Sequence, residues 1–374
     1  MLYRVSGTGS SFCIYFKGGV TVAYRLMKGN EAAVIGALLG GCTHFFGYPI
    51  TPAREIAQGA AYWFPLSGRM FMQSESEVSV INMVYGAASA GARAMTASSG
   101  PGIALMSEGI SYLAGARLPA VIIDMQRSGP GLGNIWPEQS DYNMVVKGGG
   151  HGDYRNIVFT PYSGQEMLEM TRDAFEIADT YRMTVFILSD AYIGQMMEQV
   201  SIDGPVFHGK RKDWAVYGDA QSRNNLITSI HMNTHLQKEH NDLLQSVYKQ
   251  VSADLVDYET IDTDDADIVM VAYGICARIG LSAIRVLREQ GVKAGLFRPK
   301  TVWPFPACAI GDLAARKTKL LVVELSSGMM ADDVELAVKG RTEVARFGMV
   351  GGVTPKVEEL VQAVTDMIRG GRDA

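Results

Sequence analysis

The 374 residues are enough for two or three domains with real cores. With 47% hydrophobic and 20% charged residues the composition is that of an ordinary globular protein. A net charge of −5 leaves no basic footprint for nucleic acid, and no apolar run reaches the roughly 18 residues of a membrane span. Residues 1–25 lack the charged, apolar and cleavage-site order of a signal peptide. Their SGTGSS has Phe12 where a third glycine of GxGxxG would stand, and they read as a weakly ordered extension. From Lys28 helices and strands alternate. GNEAAVIGALLGG reads as a helix, CTHFFGYPI as strand and loop, PAREIAQGAAYWF as a helix, and RMFMQS as a strand. ESEVSVINMVYGAASAGA is a helix, RAMTAS a strand, SGPGIALMSEGISYLAGA a loop and helix, and PAVIIDMQ a buried strand. RNIVFT, GQEMLEMTRDAFEIADTY and MTVFILSD continue the alternation as strand, helix and strand. Such alternation implies right-handed crossovers and a parallel sheet covered on both faces.

The pattern breaks near Ser201. Residues 203–260 are polar, hold four of the six histidines, and read as a linker with one solvated helix. His231 and His235 stand four apart, a spacing that admits a metal, but the set lacks further ligand spacing and no metal site is expected. A second α/β unit follows, with strands ADIVMVAYG, VKAGLFRP and KLLVVELSSG and helices ARIGLSAIRVLREQG and VEELVQAVTDMIRGG. The expected organisation is an extension (1–25), a first α/β domain (26–202), a linker (203–260) and a second α/β domain (261–374), both domains doubly wound and mainly parallel. The four cysteines, Cys13, Cys42, Cys276 and Cys308, form no CxxC pair or cluster motif, and read as thiols in a reducing cytoplasm.

Ligands of open parallel sheets bind beyond the carboxyl ends of the strands. Thr51 follows the first strand between two prolines, in YPITP. Each proline biases the residue before it, Tyr48 and Thr51, toward an extended conformation. Glu75 and Glu77 follow the second strand, and Arg127 follows PAVIIDMQ. Together they would place a hydroxyl, a carboxylate and a guanidinium on one rim, suited to a small anion. A structural role competes at each: Thr51 as an N-cap, Glu77 in a capping box with Ser74, Arg127 in a surface ion pair. The loops GPGLGN (129–134) and KGGGHGDYR (147–155) are glycine-dense; His151 is read as donating to a ligand or as satisfying its own turn.

YPITP, the SESE helix with VYGAASAGA, SSGPG, LPAVIIDMQR, GPGLGN and GGGHGDYR resemble, in this order, the alpha subunit of 2-oxoacid:ferredoxin oxidoreductases. The likeness is nearest to the branched-chain (3-methyl-2-oxobutanoate) type and next to the 2-oxoglutarate type. It resumes in DIVMVAYGICARI, RPKTVWPFP and VVELSSGMMADDVELAVKG, and spans about residues 26–360. The resemblance implies a pyrimidine-type thiamine diphosphate-binding domain followed by a transketolase C-terminal-like domain. It implies oxidative decarboxylation of a 2-oxoacid, electrons passing through iron–sulfur clusters to ferredoxin and the acyl group to coenzyme A. Glu77, nine residues before Gly86, matches the glutamate on the cofactor's aminopyrimidine nitrogen. Thr51 matches the threonine that contacts substrate, and Arg127, eight residues after Pro119, the arginine that binds its carboxylate. Tyr48, Ser99, Gly100, Gly131, Asn134 and His151 are further loop contacts on the same matching. No Gly-Asp-Gly motif and no cluster-binding cysteine set is present. The resemblance therefore assigns the diphosphate, its Mg2+ and a 4Fe-4S cluster to a beta subunit, with separate gamma and ferredoxin-like delta subunits, and expects this chain to be inactive alone. A thiamine-dependent decarboxylase or transketolase relative using no ferredoxin is the competing enzyme reading, and a non-catalytic scaffold subunit the third.

Overall fold

The computed structural model describes residues 24–370. The extension expected over 1–25 lies outside them except for Tyr24 and Arg25, which open strand β1 (Tyr24–Lys28). Then come α1 (Gly29–Leu39), β2 (His44–Gly47), α2 (Arg54–Leu66), β3 (Met70–Gln73), α3 (Glu77–Ser89), β4 (Ala94–Ser98), α4 (Gly100–Gly115) and β5 (Ala120–Gln126). A long loop holding the short helix α5 (Tyr142–Val146) leads to β6 (Ile157–Phe159), α6 (Gly164–Tyr181), β7 (Thr184–Asp190), α7 (Ala191–Gln195) and β8 (Met197–Ser201). Next are α8 (Thr234–Asp254), β9 (Tyr258–Ile261), β10 (Ile268–Ala272), α9 (Gly274–Glu289), β11 (Ala294–Pro299) and β12 (Thr301–Trp303). The described chain closes with α10 (Ala307–Ala315), β13 (Lys319–Glu324), α11 (Met329–Val338), β14 (Val344–Gly348) and α12 (Val357–Arg369).

Two sheets carry the fold. The first runs β12-β6-β7-β5-β4-β2-β3 and is parallel except for β12. The second runs β14-β13-β10-β11-β9 and is parallel except for β9. Central strands such as β5 and β10 are buried along their whole length, as expected of a sheet with helices on both faces. The apolar residues accordingly fall into two clusters, on opposite sides of the sheets. On one side β2 sends Phe45 toward α2, where it meets Phe64 edge to face at 6.0 Å.

Three features depart from the sequence reading. The segment 203–260 is no free linker. Phe207 N–H donates to Leu39 O at 2.7 Å, Val216 N–H to Ser89 O at 2.9 Å, and buried Lys212 pairs with Asp179 at 2.5 Å. Its helix α8 is not wholly solvated, since it buries Leu244, Tyr248 and Val251, and its last residues form the antiparallel edge strand β9. The first sheet also receives its edge strand β12 from the second half of the chain, antiparallel to β6. Finally, β1 pairs with β8 as a separate antiparallel ribbon. All three depend on contacts between residues far apart in sequence, which local periodicity does not report.

Candidate active site at the carboxyl rim

In a parallel sheet every strand delivers its last residue to one edge. On this edge β2 ends in Tyr48–Thr51, β3 in Ser74–Glu77, β4 in Ser99–Gly100 and β5 in Arg127. The structure therefore gathers Thr51, Glu77, Ser99, Gly100 and Arg127 on one rim. Tyr48 and Thr51 are exposed, and the Thr51–Pro52 peptide is cis. The capping role weighed for Thr51 is not observed: α2 begins two residues beyond Pro52, with Ala53 at its N-cap and no side-chain cap. The Thr51 hydroxyl has no protein partner among the described residues.

Glu77 opens α3. The capping box with Ser74 is replaced by Ser76, whose hydroxyl accepts from Ser79 N–H at 3.3 Å, while Ser74 Oγ donates to Glu75 at 2.9 Å. This frees the Glu77 carboxylate: the residue as a whole is 7% exposed, and its oxygens accept no hydrogen bond from a described residue. Room for it comes from Gly102, in the first turn of α4. A Cβ there would lie 2.7 Å from Glu77 Oε1 and 2.1 Å from Ser98 Oγ. Glycine near the start of a helix costs about 1 kcal/mol against alanine, so a position that admits nothing larger is informative.

Among the described residues Arg127 forms no ion pair of the kind weighed from sequence. Its backbone bridges to Pro137, Nη1 donates to Thr51 O at 2.9 Å and Nη2 to Leu132 O at 3.1 Å. Nε is buried without a partner. The guanidinium thus spans the segment after β2 and the loop after β5. That loop turns at Gly131 (φ +71°) and Gly133 (φ +53°), where a Cβ would lie 1.8 Å from Ser128 O. Asn134 closes it, its Oδ1 accepting from Trp136 N–H at 2.9 Å and its Nδ2 donating to Gly351 O at 3.1 Å. His151 lies apart from this group: it is exposed, on a loop whose Gly149 and Gly150 rest against Ser107 midway along α4.

The rim of the second sheet faces the first and is stitched to it. Gln139 Nε2 donates to Tyr273 O at 3.1 Å, and its Oε1 accepts from Leu325 N–H at 2.9 Å. Asp190, ending β7, caps α7 through Tyr192 and Ile193 N–H, both at 3.1 Å, and accepts from Ile275 N–H at 2.8 Å. Burial raises its carboxyl to about 6 despite those donors. Beneath Arg127 lies a second acidic group missed from sequence. Asp141 is pushed up to about 7 by burial and by Glu138, with Arg127 opposing. Asp124, paired in register with Ser98, is raised by burial and then by Asp141. Both Asp124 oxygens and the Ser98 and Ser99 hydroxyls are buried without partners. Asp124 sits inside an otherwise apolar strand, and that interruption was the available signal. Among the described residues no group of three or more His, Cys, Asp or Glu side chains is placed to hold a metal, and no helix is long and apolar enough to cross a membrane. His231 and His240 lie with ring centroids 4.8 Å apart and planes tilted by 34°, and His240 Nε2 lies 2.7 Å from Gly115 O.

Two facing parallel-sheet rims, one carrying Thr51, Glu77 and Arg127, form the candidate site. A split-gene transketolase shares the fold, superposing with a TM-score of 0.58 at 13% identity over 92% of this chain and 98% of that one. The family model for pyruvate flavodoxin/ferredoxin oxidoreductase, thiamine diphosphate-binding, matches residues 35–259, and that for pyruvate:ferredoxin oxidoreductase core domain II matches 266–360. Ketoisovalerate oxidoreductase subunit VorB of Methanothermobacter thermautotrophicus is 48% identical over 94% of this chain and 100% of its own length. 2-Oxoglutarate synthase subunit KorA of Methanothermobacter marburgensis is 34% identical over 91% of this chain and 98% of its own. The 2-oxoglutarate:ferredoxin oxidoreductase from Magnetococcus marinus, solved with 2-oxoglutarate, coenzyme A and succinyl-CoA, superposes with a TM-score of 0.84 at 26% identity; it covers 92% of this chain, which spans 65% of that one. The chain belongs to the 2-oxoacid:ferredoxin oxidoreductases, a family of thiamine diphosphate-dependent enzymes.

Proposed function

We propose that this chain is the alpha-type subunit of an enzyme converting a 2-oxoacid, coenzyme A and two oxidised ferredoxins to acyl-CoA, CO2, a proton and two reduced ferredoxins. The similarity to VorB favours 3-methyl-2-oxobutanoate as substrate, with 2-oxoglutarate next. One observation carries the reading: Glu77 is buried, has no donor among the described residues, and lies against a glycine that leaves it space.

Thiamine diphosphate, when bound, supplies the nucleophilic carbon and the electron sink for decarboxylation. The donor set on this rim fits its aminopyrimidine end. Glu77 is the acceptor for the protonated ring nitrogen, which favours the tautomer whose exocyclic nitrogen can take a proton. Arg127 and Thr51 hold the 2-oxoacid: the guanidinium grips the carboxylate, and the hydroxyl, free of protein partners, donates beside it. Tyr48, Ser99, Gly100, Gly131 and Asn134 shape the loops around them; His151 would serve a contact elsewhere. Nothing on this rim suits a diphosphate with Mg2+, so these are assigned to a beta subunit that also carries the 4Fe-4S cluster, with gamma and delta subunits completing the enzyme. Within the chain, residues 26–202 form the pyrimidine-side domain, 203–260 a connecting strap and 261–374 the second domain.

The test is anaerobic viologen reduction, dependent on coenzyme A, by the complex purified with its partner subunits. Reduction with 3-methyl-2-oxobutanoate ahead of 2-oxoglutarate and pyruvate is expected. Turnover by the isolated chain with cofactor would contradict the shared site.

A further inference from the structure

Beside Thr51, on the side away from Glu77, lies a cavity of about 400 Å3. It is bounded by the segment after β2, the loop after β5 and helix α7 after β7, with Thr51 on its wall. Helices α2 and α7 bury their apolar residues in one core cluster and α3 and α4 in the other, so the cavity lies over one face of the sheet and Glu77 and Gly102 over the opposite face. A 2-oxoacid held by its carboxylate at Arg127 and Thr51 has this cavity beside it, with Thr51 common to both.

The walls say what tail fits. Pro52, Ile135, Trp136, Pro137, Ala191 and Tyr192 present carbon. The polar groups at the far end are already engaged. Glu55 accepts from Lys28 at 2.8 Å, Asn30 at 3.2 Å and Gln195 at 3.0 Å. Arg54 is exposed, and its Nε lies 3.1 Å from the Gln58 amide, whose oxygen accepts from it once that amide is turned. A tail bearing a second carboxylate would share Arg54 with Gln58, while a branched alkyl tail would displace water from apolar surface. Ile135 and Trp136 are 54% and 59% exposed and stand on the cavity wall, open to a bound tail.

Building on the function assigned above, we propose that this cavity is the tail subsite of the 2-oxoacid, and that Ile135 and Trp136 make it selective for a branched alkyl chain. Both side chains are outside the sheet core, and the backbone bonds of Trp136, to Asn134 Oδ1 and from Ser128 N–H, survive truncation.

The test compares kcat/KM of wild type, Trp136→Ala and Ile135→Lys in the purified multisubunit complex, for 3-methyl-2-oxobutanoate, pyruvate and 2-oxoglutarate, with KM for coenzyme A measured alongside. Trp136→Ala is expected to lower kcat/KM for the branched acid about tenfold or more while pyruvate changes little. Ile135→Lys is expected to raise 2-oxoglutarate relative to the branched acid about tenfold. An equal fall for all acids overturns the proposal. So does a raised KM for coenzyme A with substrate ranking unchanged, which would make the cavity a channel for the thiol arm. Loss of co-purification of Trp136→Ala with the partner subunits would also overturn it, marking a subunit contact. A wild-type complex with bound cofactor that turns over no 2-oxoacid would remove the function and the subsite together; altered variants matter only if wild type is active.

Discussion

Glu77 and Glu324 are a natural pair. Each is a buried carboxylate on the carboxyl side of a parallel strand, near the start of a helix. Glu324 is saturated: it accepts from Met330 N–H and Ala331 N–H, both at 3.0 Å, and from Ser326 Oγ at 2.6 Å. Glu77 accepts nothing from the described residues, and Gly102 leaves space beside it. The two rims therefore use the same residue type differently. In the second sheet the acid locks strand to helix; in the first it is left open to a donor from outside the described residues.

The largest expected effect separates the two acids. Glu77→Gln should cut turnover of the complex by on the order of 10²–10⁴ with no loss of thermal stability. Glu324→Gln should instead cost about 2 kcal/mol of stability, read by denaturant melts, and leave kcat of the folded complex near wild type. The reverse pattern would break the comparison. Next in size, Arg127→Lys keeps the charge but loses the fork, and should raise KM for the 2-oxoacid about tenfold or more, with a smaller change in kcat. Unchanged KM would remove Arg127 from the substrate site. Gly102→Ala sharpens the geometry: its methyl would meet Ser98 Oγ at 2.1 Å and Glu77 Oε1 at 2.7 Å. Weaker thiamine diphosphate binding by titration is expected, together with about 1–3 kcal/mol of lost stability.

The last effect is a pH dependence of stability rather than of turnover. Asp141 titrates at about 7 in the folded protein and near the ordinary carboxylate value when unfolded. Between those values the folded state holds a proton that the unfolded state has released, so stability falls as pH rises from about 4 toward 7 and is level above, at up to about 1.4 kcal/mol per pH unit. Asp190, at about 6, adds a slope of the same sign that ends earlier. Asp141→Asn should gain on wild type through this window and hold the advantage at pH 8. A constant difference in melting temperature from pH 5 to pH 8 would contradict the assignment.

Much of the fold was legible because buried parallel strands write themselves as apolar runs, and PAVIIDMQ and MTVFILSD fall where β5 and β7 are. The polar residues ending such runs, Thr51, Glu77 and Arg127, were found by the same logic and do share a rim. What the sequence could not carry was proximity. Gly102 matters only because α4 starts beside α3, and β1 finds β8 far along the chain, Tyr24 pairing with Ser201. The strap 203–233 has no periodicity because it lies on a surface made by other elements. TVW is too short to announce itself, and its pairing with β6 rather than a strand of its own half is a tertiary choice.

The most direct measurement is the rate at which the reactive carbon proton of bound thiamine diphosphate exchanges with deuterium, by quenched flow and NMR, in the wild-type complex and in Glu77→Gln. If Glu77 sets the cofactor's tautomer, exchange in the variant should slow about a hundredfold or more at equal cofactor occupancy. Equal rates in the two complexes would contradict the role given to Glu77, and with it the reading of this rim as the pyrimidine half of the site.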